Sequence, residues 1–205
     1  MDTTLARISH LPAPEDSFAE CLLAGLGRTP KEIACKFFYD EAGSRLFDQI
    51  CELPEYYQTR TETQLLARHA GEIAALIGPG MEILEFGAGS LRKVRILLDA
   101  AQDCCAYTPL DISGAYLAEV VRTLAADYPA LTLRPLVGDF TLPLDIPALP
   151  GNPRRAGFFS GQHHRQFQAR CRRKPAAAHA RVAEWRRVAD RRGPGEGPGA
   201  AACRL

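Results

Sequence analysis

The stretch EILEFGAGSLRKVR, residues 82–95, restricts the fold more than any other part of the chain. Its first five residues read as a short buried strand, and two glycines then make a tight turn. A helix is predicted to open near Ser90. A strand joined to a helix by a glycine turn begins a βαβ unit, and such units build parallel sheets. Gly87 and Gly89 can take backbone angles closed to other residues and let a ligand approach the main chain. The helix start adds free N–H groups and a partial positive charge. A G-x-G turn by itself is also an ordinary strand–helix corner.

The flanking sequence repeats the alternation. CCAYTPLD reads as a strand, SGAYLAEVVRTLAADYP as a helix, LTLRPLVGDF as a strand and RAGFFSG as a fourth strand. The predicted class is therefore α/β, a Rossmann-like parallel sheet with helices on both faces. Residues 1–60 read as a helical region, with helical spacing in SFAECLLAGL and GSRLFDQICEL. TRTETQLLARHAGEIAALIG predicts a further helix, with Thr61 or Thr63 as N-cap and Gly78-Pro79-Gly80 as its stop.

Three acids strengthen the case for a ligand at the turn. Asp111 closes the second strand, where a Rossmann-like sheet places the acid that binds a ribose diol. Asp139 and Phe140 close the third, where a carboxylate can accept an adenine amino group while the ring packs on the base. Glu85 stands just before the turn, where class I methyltransferases carry an acidic residue. Ser90, Leu91 and Arg92 follow Gly89, so the third glycine of GxGxxG is missing. That weakens a dinucleotide reading and with it an NAD-dependent dehydrogenase. S-adenosyl-L-methionine (SAM) carries no phosphate, and two glycines suffice for it. Lys93 lies in the first helical turn, where the dipole disfavours a cation. It is either a solvated lysine or the partner of the cofactor's methionine carboxylate.

Charge divides the chain. Residues 162–205 hold ten arginines and one lysine against three acids, a balance of +8, which leaves 14 basic and 21 acidic residues, or −7, before them. This asymmetry supports an alternative function, a non-catalytic nucleic-acid-binding protein using a basic C-terminal tail. Against it, the tail carries only Phe167 and Trp185 as aromatics and no recognisable module. His163, His164 and Cys171 rank lowest as a metal site, since neighbouring histidines on an irregular segment rarely converge. Seven cysteines without a CxxC pair fit reduced thiols. With no signal pattern after Met1 and no apolar run near the ~20 residues of a membrane helix, a soluble cytoplasmic protein is expected.

CKFFYDEAGSRLFDQICELPEYYQTRTE followed by LEFGAGSLRKVR resembles the histidine-specific, SAM-dependent Nα-methyltransferases of ergothioneine biosynthesis. The resemblance covers residues 15–161. It implies that Gly87, Lys93, Asp111, Asp139 and Phe140 bind SAM, that Tyr56 binds L-histidine, and that Tyr39 lies near the same pocket. It implies methyl transfer to the α-amino nitrogen by in-line displacement, with no catalytic nucleophile or metal, in a monomer without nucleic-acid or membrane partners.

After the fourth strand the family reads G-S-T-I-G-N-F, whereas here Gly161 is followed by QHHRQF. Reverse-translating that hexamer and dropping one nucleotide permits Ser-Thr-Ile-Gly-Asn-Phe. The codon of the substrate-holding asparagine then falls across Gln166 and Phe167. The same shift lets DRRGPGEGPG be read as I-G-V-D-L-V-K-D-P-A, the family's following segment, and CRL as small-small-tyrosine. Residues 162–205 are therefore expected to be a frameshifted, disordered tail. The domain division is 1–60 helical, 61–161 a partial SAM-binding domain and 162–205 tail. The sheet is expected to be incomplete and the activity impaired.

Overall fold

In a computed structural model the described residues are 7–11, 18–142, 144–151, 153–160 and 203–204. The strand read from EILEF is β2 (Glu82–Phe86), following β1 (Ser9–His10), and it lies at the centre of the sheet. Its first four residues are buried, as a strand covered on both faces must be. Beyond it come β3 (Ala106–Asp111), β4 (Thr132–Leu133), β5 (Leu136–Val137), β6 (Arg155–Phe158) and β7 (Cys203–Arg204). The order is β1-β5-β3-β2-β6-β7, with β4 also on β3. All pairings are parallel except β6 with β7. From β2 the chain moves outward through β3 to β5, then returns to the far side of β2 as β6. This reversal creates the crevice where open α/β sheets bind ligands, beyond the carboxyl ends of the strands.

The sheet differs from expectation in two of its strands. LTLRPLVGDF forms two short strands rather than one, because Pro135 has no N–H to donate to the ladder. Arg134 N–H still reaches Tyr107 O at 3.0 Å, and β5 resumes the parallel register on Leu110 and Asp111. The N-terminal region also contributes a strand, β1, parallel to β5. Leu11 just after it packs on Gly138, where any Cβ would stand 3.0 Å from the leucine side chain. The tail, expected to be disordered, lies outside the described residues except at β7, which pairs with Ala156 and Gly157.

The helices are α1 (Phe18–Leu26), α2 (Glu41–Glu52), α3 (Tyr57–Ile77), α4 (Arg92–Ala100) and α5 (Gly114–Asp127), with a 3-10 turn at Cys35–Phe38. Asp40 caps α2 by accepting the Gly43 N–H at 2.7 Å. Neither Thr61 nor Thr63 caps α3, which starts at Tyr57. Tyr56 N–H donates to Leu53 O, and Arg60 donates to Leu53 O and Pro54 O. These bonds close the turn after α2 and let the helix begin at once. Thr63 donates back to Thr59 O inside it. Gly78 ends α3 as predicted, at φ 78°.

One apolar core joins α3, α4 and α5 to the sheet through residues such as Ile73, Ile83, Val94, Leu97, Tyr107 and Leu117. Each large aliphatic side chain buried there contributes about 1.5–3 kcal/mol relative to exposure. At the opposite end of β2 from the glycine turn, Glu82 is fully buried. It accepts from Thr108 Oγ1 at 2.6 Å, from Arg134 and from Arg155. The two acids of EILEF thus serve different ends of the sheet, Glu82 the architecture and Glu85 the crevice.

Candidate active site

The turn after β2 uses left-handed backbone three times in five residues: Gly87 at φ 69°, Gly89 at 55° and Leu91 at 58°. Glycine adopts this region freely, whereas leucine pays roughly 1–2 kcal/mol. Leu91 is held there because its side chain is 2% exposed in the core. The extra reversal delays α4, which starts at Arg92 rather than near Ser90. Gly87 N–H and Ala88 N–H both donate to Leu110 O, at 2.9 and 3.2 Å, which ties the turn to the end of β3.

Asp111 ends β3 beneath this turn. Its Oδ2 accepts the Gly89 N–H at 3.0 Å and its Oδ1 the Ser113 N–H at 2.9 Å. The carboxylate is therefore fixed in orientation, with lone pairs left for further donors. Gly138 N–H donates to Asp111 O at 2.9 Å, joining the ends of β3 and β5. Asp139 follows directly. Its Oδ1 accepts the Thr141 N–H at 2.9 Å and the Thr141 hydroxyl, and its Oδ2 accepts Lys36 Nζ at 3.0 Å. Burial alone would raise this carboxyl, but Thr141 and Lys36 outweigh it and hold the group below its ordinary 3.8. Phe140 packs on Phe159 at 5.8 Å and on Phe86 at 6.4 Å between ring centroids. Three rings thus meet where β2, β5 and β6 end.

Glu85 is enclosed beside the turn, 1% exposed, and accepts the Tyr107 hydroxyl. Burial pushes its carboxyl up to about 8, with Lys93 and the Tyr107 bond opposing that rise and Asp111 adding to it. At neutral pH it is mostly an uncharged acid.

Lys93 is not a freely solvated lysine. Its Nζ lies 2.6 Å from Glu62 Oε2 on α3, with the two side chains 19% and 36% exposed. Tyr56 and Tyr39 both pack edge-on against Phe47, whose ring centroid is 5.9 Å from that of Tyr56 and 6.2 Å from that of Tyr39. Burial raises the Tyr56 phenol, and Cys51, Tyr39 and Glu62 add to this, so it stays a hydrogen-bond donor well into the alkaline range.

The fold therefore gathers Gly87, Asp111, Asp139 and Phe140 at adjacent strand ends. Lys93 and Glu62 lie at the α3–α4 junction, and the two tyrosines form an aromatic wall on the helical layer. Sequence reasoning missed Lys36, Phe47, Glu62, Phe86 and Phe159. Lys36, Phe47 and Glu62 lie inside the stretch that carried the resemblance, but nothing in their spacing announces contacts made across the fold. No cluster of histidine, cysteine, aspartate or glutamate among the described residues could hold a metal ion. His163, His164, Cys171 and the basic segment invoked for nucleic acid lie outside the described residues.

This is a Rossmann-like site whose groups suit an adenosyl ligand with an amino-acid arm. Two oriented carboxylates can accept from hydroxyl and amino groups, and the three rings can receive a base. A lysine can meet a carboxylate, and the missing third glycine matters little without a pyrophosphate. Comparison with known proteins is more specific. The profile described as "Histidine-specific methyltransferase, SAM-dependent" matches residues 18–186, past the point where the sequence resemblance stops at Gly161. The chain belongs to that family. It is 41% identical over 144 residues to a histidine N-alpha-methyltransferase of Mycolicibacterium smegmatis, covering 67% of this chain and 44% of that protein. To the enzyme of the same name from Mycobacterium tuberculosis it is 35% identical over 155 residues, covering 74% and 46%. It is also 41% identical over 99 residues to ergothioneine biosynthesis protein 1 of Neurospora crassa, covering 47% of this chain and 11% of that protein. The chain thus spans less than half the length of the curated relatives it matches.

Proposed function

We propose that the protein is a SAM-binding member of the methyltransferases that act on the α-amino nitrogen of L-histidine, a step of ergothioneine biosynthesis, with that activity impaired in this chain. The observation that carries this reading is membership of a histidine-specific family together with oriented acids at the ends of adjacent strands. Asp111 is assigned to the ribose hydroxyls, and Asp139 to the adenine amino group with Phe140 against the base. Gly87 allows close approach, Lys93 takes the methionine carboxylate, and Tyr56 with Tyr39 holds histidine. When bound, SAM supplies an electrophilic methyl on a sulfonium, so no side chain has to act as a nucleophile. The chain's own work is alignment and exclusion of water. No helix among the described residues is long and apolar enough to cross a membrane, and we place the protein in the cytoplasm as a monomer.

Titration calorimetry with SAM and with histidine separately tests the reading. SAM is expected to bind and histidine to bind poorly, because the substrate asparagine is out of frame in residues 162–205. Absence of SAM binding would sink the cofactor assignment. The frameshift, also our proposal, is decided by sequencing the gene around codon 161. If no change of one nucleotide opens a longer frame encoding STIGNF, that idea is dead; if one does, the repaired protein should yield trimethylated histidine by mass spectrometry.

A further inference from the structure

The acids around the glycine turn differ in how they are already engaged. Glu85 is enclosed and bonded to Tyr107. Asp111 is bonded to the Gly89 and Ser113 N–H groups, and Asp139 to Thr141 and Lys36. Glu62 is different, because it pairs with the very lysine expected to meet the cofactor, at 2.6 Å across two elements. A partly exposed ion pair adds little to stability, and Lys93 also stands where the α4 dipole disfavours a cation. Fold stability therefore gives a weak reason for this arrangement, and ligand chemistry gives a stronger one. An ammonium beside a carboxylate is the charge complement of an α-amino acid, whose own carboxylate and ammonium sit on one carbon. SAM ends in such a group.

We infer that Glu62 and Lys93 together clamp the amino-acid arm of the cofactor, Lys93 taking its carboxylate and Glu62 its ammonium, an inference that rests on the cofactor reading above. The balance of charge agrees. SAM carries a sulfonium and an ammonium against one carboxylate, and Glu62 adds the negative charge that meets this net positive charge. Tyr56 is the N-cap of the helix that carries Glu62, so the clamp and a residue assigned to histidine are set by one helix start. The opposite role is a self-competitor, in which Glu62 merely occupies Lys93 until a carboxylate displaces it. The two roles differ in the sign of a measurable effect.

The test is calorimetric affinity of the full chain and of Glu62→Gln and Lys93→Gln for three ligands. These are SAM, decarboxylated SAM, which keeps the amine but lacks the carboxylate, and 5′-methylthioadenosine, which lacks the whole arm. E62Q is expected to weaken both amine-bearing ligands by about tenfold, the loss of one charge-assisted hydrogen bond, while 5′-methylthioadenosine binds as to the wild type. K93Q is expected to weaken SAM alone. Equal or tighter SAM binding by E62Q overturns the clamp, as does equal weakening of all three ligands. Wild-type protein that binds SAM no better than 5′-methylthioadenosine overturns the clamp and leaves the adenosyl site standing. Wild-type protein that binds none of them overturns the cofactor reading, and the clamp with it.

Discussion

Glu85 and Asp139, at the ends of strands in one sheet, show how the same functional group is set to opposite states. Asp139 is kept ionised by Lys36 and by two donors from Thr141, whereas Glu85 has a phenol for a partner and almost no water. The raised Glu85 value has a consequence for stability. Its protonated form is the one the fold accepts, so its contribution is fully present below its unfolded value near 4.5 and is lost as pH rises toward about 8. Wild-type stability should therefore fall between roughly pH 5 and pH 8. Glu85→Gln cannot titrate and should show a flatter profile. Denaturant midpoints across that range check this, and parallel slopes for the two proteins would count against a neutral Glu85.

At the scale of elements, the start of α4 is a balance between strain and burial. Leu91 sits at φ 58° with 2% of its surface exposed. Leu91→Gly relieves roughly 1–2 kcal/mol of left-handed strain, but truncating a core leucine costs about 2–5 kcal/mol. Burial wins, and L91G should lower stability by about 2 kcal/mol in chemical denaturation. A more stable L91G protein would mean that the turn, not the core, governs this position. The same comparison explains why the helix boundary was misplaced from sequence. The helix is expected to open near Ser90, but the buried Leu91 draws the chain through one more reversal before helical bonding begins at Arg92.

Across the whole molecule, side chains of the N-terminal layer reach the sheet domain around the crevice. Lys36 bonds Asp139, Arg45 bonds Glu119, Tyr116 bonds Asp48, and Arg92 bonds Glu52. These contacts are unequal. Arg45 and Glu119 are both about half exposed, whereas the Asp139 side chain is only 6% exposed. Lys36→Met leaves a largely buried carboxylate without its cation and should cost about 1–3 kcal/mol. Arg45→Ala should stay within about 0.5 kcal/mol. The stability Asp139 lends is present above its unfolded value of 3.8 and is lost as pH falls through its lower folded value. K36M should consequently unfold at a higher pH on acidification than the wild type, which a circular-dichroism titration would reveal. Equal acid midpoints would remove Lys36 from this role.

What the sequence determined by itself was local: the strand–glycine–helix corner, the order of strands and helices, and the acids that end β3 and follow β5. These depend on short-range rules, namely glycine's access to positive φ and runs of buried residues, which act within a few residues of the chain. The family resemblance was equally local, carried by an unbroken block. The tertiary structure decided what crosses between elements. It made β1 a strand by pairing it with β5, set Lys36 on Asp139 over 103 positions of separation and set Glu62 on Lys93 over 31. Side chains that distant meet only after the helical layer folds against the strand ends. The charge on Glu62 is plain in the sequence, but which cation it faces is a property of the packed chain.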